Sequence, residues 1–150
     1  MAGQRPTPRP PQTLARGKRR ALDDLWLAYL ASGGQPGNGY SLVKRPFIQG
    51  LERFNEGRYY EAHEFFEEAW LAARYPQRLL CLALAKLGAA FQQQARGNLR
   101  GARKIVGDAQ RCLAPLPSGY GPIDVGRLRT ELTSWSDEGD APPSLWTVSL

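Results

Sequence analysis

Histidine occurs once in these 150 residues, methionine once and cysteine twice. A single imidazole excludes the multi-histidine zinc centres, and two cysteines without a CxxC spacing exclude both a zinc ribbon and a disulfide framework. Cys81 and Cys112 lie in apolar helical stretches, where reduced, buried thiols of a cytoplasmic protein are expected. The N-terminus lacks the apolar core of a signal peptide, and the longest apolar run, Leu79 to Phe91, is interrupted by Lys86 and too short to span a bilayer. No glycine-rich phosphate loop, Gly-x-Ser-x-Gly elbow or Cys/His nucleophile pattern occurs, so nucleotide hydrolysis and serine or cysteine hydrolase chemistry have no support. Nor does any segment alternate at period two, and strands are therefore not expected.

What is present is apolar residues at 42%, four tryptophans and an uneven charge. The chain is long enough for one real core and little more. Residues 1–20 hold Arg5, Arg9, Arg16, Lys18, Arg19 and Arg20 and no acid; the fourteen basic residues left beyond them match the fourteen acids. The basic character thus belongs to an arm, and only the arm argues for an anionic partner. Its proline- and arginine-rich composition over 1–17 reads as disordered. A short amphipathic helix is expected over 18–31, where Leu22, Leu25, Trp26, Tyr29 and Leu30 keep helical spacing. A glycine-rich linker over 32–44 then separates this appendage from a main domain at 45–135, and 136–150 forms a C-terminal tail.

The main domain carries helical periodicity over about 46–55, 58–74, 77–96, 99–114 and 124–135, which predicts an all-α fold. The 77–96 segment is apolar nearly all round, the mark of a central buried helix. Its small residues Ala83, Ala85, Gly88, Ala89 and Ala90 let neighbours approach its backbone. A weak internal repeat relates 56–69 to 96–109: Gly57, Ala62 and Ala69 match Gly97, Ala102 and Ala109 at an offset of forty positions. Such an offset suits a compact array of helical hairpins with glycine at the turns, as in tetratricopeptide-like arrays.

The chemistry-bearing stretch is "YYEAHEFFEEAW" at 59–70. At about 100° per residue, His63 and Glu67 share a face with Tyr59, Phe66 and Trp70, whereas Glu61 and Glu68 point away and Glu64 lies on the flank. The wheel therefore predicts a His63/Glu67 pair buried among aromatics, with hydrogen-bonding partners. Two readings follow. The pair fixes helix register, or it is a site of perturbed pKa with Glu67 as base and His63 as its partner or ligand, Glu64 standing beside them as a third catalytic candidate. "HEFFE" has the first half of an HExxH zinc helix, but Glu67 replaces the second histidine. A divalent metal on His63 and Glu67 would need oxygen ligands from elsewhere. Lys86, the one charge inside the apolar run Leu79 to Phe91 of the central helix, either faces Glu67 or reaches solvent along its stem.

Three ordered motifs, "GLERFNEGRYYEAHEFFEEAW", "ARGNLRGARKIV" and "YGPIDVGRL", resemble the small all-helical proteins of domain-of-unknown-function family 309 over about residues 45–132. The family pattern falls on Asn55, Gly57, Tyr59, Ala62, His63, Glu64, Glu67 and Trp70, on the Gly97–Asn98 turn, and on Ile123, Asp124 and Val125. Gln92, Gln93 and Gln94 depart from it, because relatives often carry an aromatic residue or histidine there. The resemblance implies an all-α fold and brings no established activity.

Arg100, Arg103, Lys104 and Arg111 gather on one face of the 99–114 segment, a stripe that can meet phosphates, although no aromatics interleave for base stacking. Asp124 is expected to cap the last helix, with a place beside His63 and Glu67 as the competing role. Three functions remain open: a small helical binding or scaffold module, a metal-assisted or acid/base enzyme, and a nucleic-acid-associated protein. A protein or small-molecule partner is favoured over nucleic acid.

Overall fold

The computed structural model describes residues 23–24, 27–28, 44–73, 77–120, 123–135 and 142–143. The 1–17 arm, the linker apart from Lys44, and the tail apart from Pro142 and Pro143 lie outside the described residues. Of the expected 18–31 helix, Asp23, Asp24, Leu27 and Ala28 are described, and all four are helical. The main domain is all-α, with helices α1 (Lys44–Asn55), α2 (Tyr59–Ala72), α3 (Gln77–Ala95), α4 (Leu99–Leu113) and α5 (Val125–Ser134). Each of the five expected segments is present, with ends displaced by two residues or fewer. One expectation fails: strands β1 (Gly119–Tyr120) and β2 (Ile123–Asp124) form a two-residue antiparallel bridge before α5. Two residues are too few to print a period-two signal.

Helices α1 to α4 pack in sequence order, each against the next, so α3 lies between α2 and α4. The sequence explains this place: α3 buries residues all round its axis, among them Leu79, Leu80, Leu84, Leu87 and Phe91. Burying each such side chain contributes roughly 1.5–3 kcal/mol. Helix α4 instead buries one stripe, Ala102, Val106, Ala109, Cys112 and Leu113, as an outer helix should.

The turns between α1 and α2 and between α3 and α4 share the same pair of crossed backbone bonds. Gly57 and Gly97 take φ of +81° and +82°, the left-handed conformation glycine adopts without strain. Gly57 N–H donates to Phe54 O at 3.0 Å and Arg58 N–H to Arg53 O at 2.8 Å; at the second turn Gly97 donates to Gln94 at 2.9 Å and Asn98 to Gln93 at 2.9 Å. Both pairs are the crossed bonds of a Schellman cap, which satisfy carbonyls the helix end leaves open. The weak repeat is therefore a structural one, two hairpins forty residues apart. Ala62 and Ala102, and Ala69 and Ala109, are fully buried in both copies.

Close approach is localised at two glycines. A Cβ on Gly50 would lie 2.6 Å from the Phe66 ring, and a Cβ on Gly88 would lie 3.0 Å from both His63 N and Tyr59 O. Helix α2 thus lays its aromatic ring on α1 and its own backbone on α3. The aromatic side chains divide accordingly: Tyr59 packs edge-on against Phe54 and Phe91, and Phe66 against Phe47.

Candidate functional site

Where α2 meets α3 at Gly88, His63 reaches across the interface. Its Nδ1–H donates to the Ala85 carbonyl of α3 at 2.8 Å, and its Nε2 stands 3.1 Å from Glu67 Oε2, one turn along α2. Both ring nitrogens therefore face oxygen acceptors within the chain. The ring meets the two together only with a proton on each nitrogen, or with the proton of the second bond held by Glu67. The pair is less buried than the wheel implies, its side chains being 31% and 45% exposed. The reason lies in Ala62 and Ala69, which are buried with Phe66 and Trp70. They move the centre of the inward arc about 75° away from His63 and about 115° away from Glu67, which puts the pair at the rim of the core.

Tyr59, at the start of α2, is half-buried in the aromatic cluster, and desolvation holds its phenol above the ordinary pKa. Glu64 does not join the pair. It faces an open groove of about 490 Å³ lined by Arg53, Arg58, Tyr60, Glu61, Glu64, Phe65 and Glu68, to which His63 and Glu67 do not contribute. Arg58 donates to Glu61 at 2.8 Å and Arg53 lies 3.2 Å from the same carboxylate. Glu64, beside Tyr60 on the next turn, raises the phenol's pKa through hydrogen bonding to the hydroxyl and through its charge. Among the described residues, Glu68 has no ion pair.

Asp124 takes the expected capping role, accepting from Arg127 N at 3.0 Å. Asn98 caps α4 in the same way through Gly101 N. Asn55 ends α1 and Gly57 follows it in the turn. Among the described residues no three histidine, cysteine, aspartate or glutamate side chains stand close enough to hold a metal ion. Lys86 follows neither expected course: its ammonium lies 3.8 Å from Asp108 on α4 and only 15% of the side chain is exposed. The small residues around it draw α4 near enough to supply the partner. Arg100, Arg103 and Lys104 are exposed, whereas Arg111 is 3.2 Å from Asp24 of the N-terminal segment.

A cluster that the sequence reading missed stands where α2 ends and α3 begins. Trp70 Nε1–H donates to Asp23 Oδ2 at 3.0 Å and Arg78 Nε–H to Asp23 Oδ1 at 2.9 Å. The Arg78 guanidinium stacks over the Trp70 ring at 4.4 Å, and Asp23 is fully buried. One sign of it was available, because Asp23 falls about 20° from Leu30 at the edge of the apolar arc of 18–31.

Fold and site together define a small all-helical domain of two equivalent hairpin turns, with a His/Glu pair clipping its second helix to its third. Residues 47–105 match the model of a family described as Domain of unknown function (DUF309), the family the motifs resemble. The matched segment runs from Phe47 in α1 to Ile105 in α4 and holds Asn55, Gly57, Tyr59, His63, Glu64, Glu67, Trp70, Gly97 and Asn98, while Asp124 lies beyond it. No curated protein and no solved structure matches the chain. Among the described residues no helix is long and apolar enough to cross a membrane.

Proposed function

We propose that the chain is a helical binding module whose open face on α2 takes a protein segment rich in basic side chains, with the His63/Glu67 pair as an internal clip between α2 and α3. The observation that carries this reading is the division of α2's polar residues between two sides. His63 spends both nitrogens on Ala85 and Glu67. Glu64 and Glu68 line the open groove, while its two arginines are engaged with Glu61. Charge complementarity then selects a cationic occupant, and Phe65 with the 57%-exposed Tyr60 supplies apolar area beside it.

A fluorescein-labelled hexa-arginine peptide tests the reading by anisotropy. Binding is expected at low salt and should fade towards 1 M, where the Debye length shrinks to about 3 Å. Replacing Glu64→Gln and Glu68→Gln together weakens it about two- to tenfold, as the loss of two exposed charge pairs allows. His63→Ala leaves the peptide affinity unchanged but removes both contacts of the ring, each worth about 0.5–1.5 kcal/mol, lowering Tm by a few degrees. An affinity indifferent to the two glutamates would overturn the assignment of the groove, and an undiminished Tm would overturn the clip.

A further inference from the structure

The arrangement around Asp23 is that of a ligand in a pocket. Two donors on the helical domain, Trp70 Nε1–H and Arg78 Nε–H, each take a different oxygen of one carboxylate at 3.0 and 2.9 Å. The guanidinium is held for this by stacking on the indole and by a bond from Nη1 to Trp70 O at 3.4 Å. The Asp23 and Arg78 side chains are only 1% and 5% exposed, so the recognition takes place out of water, where charge-assisted bonds are strongest. Trp70 and Arg78 lie inside the matched segment 47–105, and Asp23 lies outside it, 47 and 55 positions away along the chain. The domain therefore contributes the receptor half of the contact, and the preceding segment contributes the carboxylate. Asp24 adds a second, exposed tie to Arg111 at 3.2 Å, so the same segment is anchored at the far end of α4 as well.

We propose that Trp70 and Arg78 form a carboxylate-binding pocket, which in this chain is filled by its own Asp23 as a tethered ligand, and which accepts an external carboxylate when Asp23 is withdrawn. The external group is either a free small carboxylate or the acidic side chain of a peptide. Both present the same two oxygens to the same two donors.

Chemical rescue tests this in the full chain. Asp23→Gly removes the carboxylate that meets the buried Arg78 guanidinium and the Trp70 indole, so Tm should fall on the order of 10 °C. Added acetate should restore part of the loss with saturation, whereas chloride at equal ionic strength should not. In Asp23→Gly combined with Arg78→Met, the acetate response should disappear. N-acetyl-aspartate N-methylamide, titrated in parallel, distinguishes the two sources. Half-saturation below that of acetate identifies a peptide side chain, and half-saturation above it a free carboxylate. A response to acetate that is absent, or equal with and without Arg78, would overturn the pocket.

Asp23→Asn provides a measurement that survives if Asp23→Gly does not fold, because it keeps the shape and removes only the charge. The Trp70 indole proton, assigned through Trp70→Phe, should shift upfield as its acceptor loses charge. An unmoved resonance together with an unchanged Tm would show that the carboxylate is not what the pocket recognises.

Discussion

A buried amide that lacks a partner weakens a fold by about 1–3 kcal/mol, and Gln77 is such a residue. It opens α3 at 1% exposure, and among the described residues its Nε2 has no hydrogen-bond partner. Gln77→Met keeps the length of the side chain and removes the stranded donor, so Tm should rise by several degrees in a thermal melt. A fall would mean that the amide has a use that packing alone does not supply. His63 illustrates how far single residues were legible. The one-turn spacing to Glu67 was plain in the sequence, and the 3.1 Å contact followed. The depth of the pair was not, because an aromatic stripe draws the eye while Ala62 and Ala69, small and fully buried, set the true direction of the core. Asp23 was legible only as an acid at the edge of an apolar arc. Its partners lie 47 and 55 positions away, a separation that periodicity does not encode.

Helices were easier to read than their contacts, since amphipathic period and capping are local properties. The expected segments matched α1 to α5 within two residues, and Asp124 capped α5 as its position implied. The two-residue bridge between β1 and β2 had no local signature. Glycines inside helices show what the crossings add: Gly88 stands among the small residues of α3 expected to admit a neighbour, Gly107 does not, and their surroundings are opposite. A Cβ on Gly88 would press on the α2 backbone at 3.0 Å, whereas one on Gly107 would meet nothing within 4 Å. Gly88→Ala should therefore force α2 and α3 apart and destabilise by about 1–3 kcal/mol. Gly107→Ala, on the exposed side of α4, should stabilise by up to about 1 kcal/mol through helix propensity. Urea titrations of the two variants check both signs at once, and a shared sign would contradict the close contact at Gly88.

At the scale of the whole molecule, the central place of α3 makes Cys81 a reporter of cooperative opening. Cys81 is fully buried on that helix and Cys112 is buried on α4, and neither is in a disulfide. Burial pushes the Cys81 thiol far above its ordinary range, the nearby Arg78 opposing only in part. Since the thiolate is the reacting species, a native chain at pH 8 presents almost none at this position. An unfolded chain, with a thiol pKa near about 8.5, presents an appreciable fraction. The raised value belongs to the folded state, so raising the pH from 7 towards 10 draws the unfolded thiol into its anion first and disfavours folding over that window. Reaction with an aromatic disulfide reagent should consequently be slow in buffer and accelerate with urea in step with the loss of helical circular dichroism. Because α3 is packed on both sides by α2 and α4, no fraying of α1 or α5 exposes Cys81, and its labelling should require the same free energy as global unfolding. Labelling of Cys81 at urea concentrations well below the circular dichroism transition would show instead that α3 opens without its neighbours, and that the two hairpins are separable units rather than one cooperative array.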